Sequence, residues 1–112
     1  MPLTRNFIDT VKQRADQDPE FRCNMLVRAI NYILTGNAED INLGKQLIRD
    51  YINATLGFDE VAARTGRKKA SIMRMLSPTG NPGLDNFSLI ISTLLAHEGI
   101  NHPAQYGIEA AE

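Results

Sequence analysis

Several things are scarce in this chain of 112 residues, and each scarcity narrows the reading. There is one cysteine, Cys23, so no internal disulfide framework can form. The two histidines, His97 and His102, lie far from it, and no ligand cluster for a metal is expected. Tryptophan is absent, and no apolar run approaches the ~18 residues that a membrane-crossing helix requires. The start carries no basic-then-apolar leader pattern, so the expectation is a cytoplasmic protein that makes no membrane contact. No paired carboxylates, nucleophile–base set or glycine-rich phosphate loop stands out, and neither catalysis nor a cofactor is expected. The net charge of −1 gives the chain as a whole no bias toward polyanions.

Apolar residues make up 43% of the chain and charged residues 22%, an ordinary balance for one globular domain with a single core. Their spacing is helical almost throughout, and no stretch alternates with period two for long enough to form a strand. Thr4 can cap a first helix carrying Phe7, Val11 and Ala15. Asp18-Pro19 is a strong start for a second, since Asp caps and Pro fits the first turn. That helix carries the stripe Phe21, Met25, Leu26, Ala29, Ile30, Ile33 and Leu34 and ends at Gly36. Asn37 or Asp40 starts a third helix, with Leu47, Ile48, Tyr51, Ile52 and Leu56 inward, Gly44 lying within the pattern of its first turns and Gly57 as its stop. A loop from Ser77 to Pro82 follows the central segment. Asp85 or Leu84 then opens a last helix with Phe87, Ile90, Ile91, Leu94 and Leu95 inward, closed by Gly99. The expected organisation is all-α: a helical extension over 1–36, a bundle over 37–99 and a loose tail over 100–112.

The most specific segment runs from Phe58 to Leu76. Asp59 is expected to cap a short helix. Val61 and Ala62 face inward, with Ala62 where a second helix would cross. Gly66 follows four residues after Ala62, where a sharp turn with positive φ suits glycine. Ile72, Met75 and Leu76 recur at i, i+3 and i+4 and give the second helix one apolar stripe. Lys69, Ala70, Met73 and Arg74 then share the opposite face. Helix, glycine turn and helix with an exposed basic face is the order of parts in a helix-turn-helix reader of double-stranded DNA. The charge distribution points the same way. No acid lies between Glu60 and Asp85, whereas Arg64, Arg67, Lys68, Lys69 and Arg74 contribute +5, leaving −6 for the rest of the chain.

Residues 58–99 resemble the DNA-binding domain of the lambdoid phage repressor and Cro group, and the run Lys68-x-x-Ser71-Ile72 fits that group's recognition helix. The stretch Leu76-Ser77-Pro78-x-Gly80-Asn81-Pro82-x-x-x-Asn86, together with Leu47-Ile48-Arg49-Asp50-Tyr51-Ile52-Asn53-Ala54-Thr55, is similar to a narrower family. These are the small antidote proteins of toxin–antitoxin addiction modules. The resemblance covers about residues 45–99. It implies a lambda-repressor-like bundle and a repressor of its own operon that neutralises a neighbouring RelE-like toxin. By position it implies that Lys69, Ala70 and Arg74 meet base edges, Arg74 a guanine and Ala70 a thymine methyl. Arg67, Lys68 and Ser71 would hold phosphates, and Thr79, Asn81 and Asn86 would meet one where the loop enters the last helix. Met73 would fill the groove edge. Two positions depart from the pattern: Arg67 stands where an apolar residue is usual, and Lys68 where Ser or Thr often caps. A homodimer is expected, since one recognition helix touches few base pairs, with residues 1–36 as its interface or as the hold on the toxin. The alternatives are a stand-alone phage-like repressor without a toxin, and a helical protein-interaction adaptor.

Overall fold

The computed structural model describes residues 5–100, with side chains from Thr10 onward, and all of its regular structure is helical. In chain order the helices are α1 (Arg5–Gln17), α2 (Pro19–Ile33), α3 (Ala38–Ala54), α4 (Phe58–Thr65), α5 (Lys69–Met75) and α6 (Leu84–His97). The expected cap Thr4 and the side chain of Phe7 fall outside what is described. None of these helices is long and apolar enough to cross a membrane.

Local chemistry fixes most of the boundaries. The Asp18 carboxylate accepts the Phe21 N–H at 3.1 Å, and Pro19 occupies the first turn of α2. Asn37, rather than Asp40, starts α3: its side-chain oxygen accepts the N–H groups of Glu39 and Asp40 at 2.9 and 3.2 Å. Gly44 lies inside α3. It is buried against α2, and a Cβ there would lie 2.6 Å from Ile33 Cγ1 and 2.7 Å from the Ala29 carbonyl oxygen. Glycine therefore trades helix propensity for a close helix crossing. Two expectations need correction. Asp59 does not cap α4: the helix begins at Phe58 behind Gly57 with no side-chain cap, and Asp59 sits inside the first turn. Ile100, assigned to the loose tail, is instead 3% exposed with its N–H bonded to the Leu95 carbonyl at 2.9 Å, and the rest of that expected tail, 101–112, lies outside the described residues.

One core joins α2 through α6. Met25, Leu26 and Ala29 of α2 pack in the same cluster as Ile48, Tyr51 and Ile52 of α3, Phe58 and Val61 of α4, Ile72 and Leu76 around α5, and Ile90, Leu94 and Leu95 of α6. Cys23 is a half-buried member of its edge, and burial pushes its thiol up in pKa, which leaves it a small apolar side chain.

At one end of this core lies a polar cluster. Glu98, just past α6, has a side chain only 3% exposed. The Arg22 Nε–H donates to both of its carboxylate oxygens, at 3.1 and 3.0 Å, and the Tyr51 hydroxyl donates to Oε2. Arg22 Nη1 also donates to the Ala15 carbonyl oxygen at 2.6 Å, one of the α1 carbonyls that has no partner within its own helix. Four helices thus meet at three side chains.

Burial, and then the bond to the Glu98 carboxylate, push the Tyr51 hydroxyl above its ordinary pKa of 10.0. A phenol whose folded pKa is raised stabilises the fold fully below its unfolded pKa, and that contribution is lost as pH climbs above about 10. Chemical denaturation midpoints should therefore hold steady between neutral pH and about pH 9 and fall above 10. Tyr51→Phe should be less stable at neutral pH and should show a shallower alkaline decline. Equal alkaline slopes in both proteins would mean that Tyr51 does not titrate in this way.

Candidate nucleic-acid interface

The three residues Gly66, Arg67 and Lys68 link α4 to α5, and each is set by a local cause. Gly66 has φ of +69°, and its N–H closes α4 on the Ala62 carbonyl at 2.9 Å. Thr65, buried beneath the turn, donates its hydroxyl to the Val61 carbonyl at 2.8 Å and accepts the Arg67 N–H at 3.3 Å. Lys68 precedes α5 in extended backbone without a side-chain cap, as expected from the missing Ser or Thr.

The inner face of α5 is apolar: Ile72 and Leu76 are fully buried, and Met75 packs half-buried against the core. On the outer face Lys68, Lys69, Ala70, Met73 and Arg74 are all exposed, with Ser71 half-buried beside them. Ala62 is half-buried on α4. Thr79 and Asn81 lie exposed in the loop after α5, and Asn86 is half-buried in the first turn of α6.

The charge island differs from its expected form. The segment contains no acid, but the two acids just before it fold back onto it. Asp59 Oδ1 lies 3.3 Å from Lys69 Nζ, and Glu60 Oε2 lies 3.2 Å from Arg64 Nε. These are exposed pairs, each worth about 0–1 kcal/mol, so they trim the local positive potential without abolishing it. Arg67 is also engaged. Its Nε–H donates to Asn86 Oδ1 at 3.1 Å and ties the turn to α6, a polar contact at the place where an apolar residue is usual. Lys68 and Arg74 have no acid within ion-pair distance among the described residues. The structure therefore brings Arg67 and Asn86 together, keeps Lys68 and Arg74 available, and holds Lys69 in a weak pair.

The loop after α5 is built by side chain and backbone together. Both the N–H and the hydroxyl of Ser77 bond the Arg74 carbonyl, at 3.1 and 2.7 Å, and the Gly80 N–H bonds the Ser77 carbonyl at 3.0 Å. Gly80 then packs backbone to backbone on the end of α5. Sequence reasoning missed two residues here, Thr65 and Lys45. A threonine before a turn glycine and a lysine in an amphipathic helix both look like ordinary solvent-facing choices, and only the packed structure shows them buried.

No protein-family model, no curated protein and no solved structure matches this chain.

A Cβ at Gly80 would lie 2.1 Å from the Arg74 carbonyl oxygen and 2.7 Å from that of Met75, whereas one at Gly83 would meet nothing within 4 Å. Gly80→Ala should destabilise the fold by about 1–3 kcal/mol, since backbone must move to admit the methyl. Gly83→Ala should be close to neutral. Thermal melts of the two proteins check this, with a fall of several degrees expected for the first alone.

Proposed function

We propose that this protein is a sequence-specific double-stranded DNA-binding regulator with a lambda-repressor-like helix-turn-helix. In this reading it is the antitoxin of a toxin–antitoxin module, represses its own operon and neutralises a RelE-like toxin. The observation that carries the DNA reading is the outer face of α5. Lys68, Lys69, Ala70, Met73 and Arg74 are exposed together on a helix whose inner face is anchored by Ile72 and Leu76. A short helix held this way presents base-reading and phosphate-holding groups on a rigid surface. Arg74 offers a planar donor fork suited to a guanine edge, Ala70 a methyl contact, and Lys68 with Arg67 cations for phosphate. The antitoxin role rests on the resemblance of residues 45–99 alone, and identification of the adjacent reading frame tests it.

The reading also calls for a second copy, because α5 has only seven residues and can span few base pairs. The surface we assign to it lies between α2 and α6. Ile30, Ile33, Leu34, Leu84, Phe87, Ser88, Ile91, Ser92 and Leu95 line a shallow groove of about 220 Å³ there. Leu34 and Leu84 are 68% and 82% exposed. None of the nine carries a charge, so a copy of the same face meets no like charge across a two-fold axis, and interface cores are depleted in charge for this reason. Leu84 also directly follows the loop that leaves α5, which puts the axis close to the reading helix. Three residues of the α2 stripe expected to serve this interface, Met25, Leu26 and Ala29, are instead buried within the monomer core.

Two measurements follow. In fluorescence anisotropy with duplexes selected from a randomised library, Arg74→Ala should cost about 1–3 kcal/mol and relax preference at one position. Lys68→Ala should weaken all duplexes alike and lower the slope of log affinity against log salt by about 0.9. Absence of any salt-dependent binding by the unmodified protein would favour the adaptor reading instead. In light scattering without DNA, the unmodified chain should be dimeric at micromolar concentration and Leu84→Asp monomeric. A monomer that nevertheless binds a palindrome tightly would remove the α2–α6 face from consideration.

A further inference from the structure

Lys45 is the one lysine among the described residues that is buried, at 7% exposed. Its ammonium meets no carboxylate at ion-pair distance among those residues. Instead Nζ donates to two main-chain carbonyls of the loop after α5, that of Ser77 at 3.1 Å and that of Gly80 at 2.6 Å. Burying a cation carries a desolvation penalty that a Met or Leu in the same place would avoid. Packing alone therefore does not account for a lysine here. Something the ammonium does to the loop must.

What it does can be traced bond by bond. The Ser77 whose carbonyl Lys45 holds also holds, through its N–H and hydroxyl, the carbonyl of Arg74. The Gly80 whose carbonyl Lys45 holds is pressed onto the carbonyls of Arg74 and Met75. Lys45 thus grips, from α3, the two loop residues that terminate α5 at the residue assigned to base reading. A cation beside the C-terminal end of a helix also opposes the negative end of its dipole. Two turns of helix are too short to hold their own geometry, so the last turn of α5 takes its position from this grip.

We propose that Lys45 is a positioning residue for the DNA reader: its buried ammonium fixes the loop that closes α5 and so sets how Arg74 is presented. The inference rests on the DNA-binding reading and adds to it a residue that never touches DNA. It separates specificity from affinity. Lys45 contacts no phosphate, so its loss should spare the salt dependence and damage only discrimination between sequences.

The test compares the full-length protein with Lys45→Met and Lys45→Arg. Amide hydrogen exchange without DNA should be at least tenfold faster across residues 74–80 in Lys45→Met, while α2 and α4 are unchanged. The ratio of affinities for a selected duplex and a scrambled one should fall tenfold or more, with the salt slope unaltered. Lys45→Arg, which keeps the charge and its donors, should recover most of the ratio. If Lys45→Met does not fold, Lys45→Gln takes the same measurements. An unchanged ratio with unchanged exchange would overturn the proposal, as would a preserved ratio with a salt slope lowered by about 0.9, the mark of a phosphate contact. If the unmodified protein prefers no duplex over another, the DNA reading falls. The exchange arm then still decides whether Lys45 orders the end of α5.

Discussion

The bond on which the rest of the structure depends is the buried carboxylate of Glu98 shared by Arg22 and Tyr51. It lies where the end of α6, the last turn of α3 and the first turn of α2 converge, and through Arg22 it reaches the Ala15 carbonyl of α1. A lone carboxylate in such a place would be strongly disfavoured, and an arginine with one partner removed would be little better. Held together, the three satisfy one another, and among the described residues no fully buried side-chain polar atom lacks a partner. Hydrophobic burial would accept many rotations of α6 on α3. The Glu98 cluster accepts very few, and so it fixes the register in which Ile90 and Leu94 join the core that also holds Ile48 and Ile52.

From that fixed frame the outer helices inherit their positions. The 17-residue α3 carries Tyr51 in its last turn and Lys45 near its middle, so a single rod links the cluster at Glu98 to the loop that closes α5. Gly44, one residue before Lys45, lets α2 lie close against the same rod. The part of the molecule that presents Arg74 is therefore supported from behind by α3 as well as by its own apolar stripe. Helix α4 adds the turn, held by Thr65 and Gly66, and α6 adds a tie through Asn86 to Arg67. The short helix α5 is thus held in place by residues of α3, α4 and α6 as well as by its own buried face.

Much of this is visible in the chain before folding, where the information is local. Asp18-Pro19, Asn37 and Gly66 declare helix ends because a cap or a positive φ involves residues only two to four positions apart. The stripes of α2, α3 and α6 are equally local, since period 3.6 is a property of a single helix. What escapes is every contact made at long range. Glu98 reads as a polar residue past the end of a helix, and its burial depends on Arg22, 76 positions away, and Tyr51, 47 positions away. Lys45 reads as solvent-facing because its partners lie 32 and 35 positions on. Asp59 has the chemistry of a cap and is spent instead on Lys69, a choice that follows from where α5 lies and not from the residues around it. On the candidate interface, exposure of Lys68, Ala70, Met73 and Arg74 follows from the α5 stripe, whereas the bond between Arg67 and Asn86 does not.

The acids of α4 have one more effect. Asp59 and Glu60 rest on Lys69 and Arg64 as anions tethered to the protein itself, and the molecule thus supplies two of its own counterions. Small ions released into solution gain mixing entropy, which is much of what drives a basic surface onto a polyanion. A tethered carboxylate gains almost none when it is displaced. For Lys69 and Arg64 that reward is reduced, so these two cations add little to any indiscriminate attraction of a polyanion, whereas Lys68 and Arg74, with no tethered acid among the described residues, keep theirs.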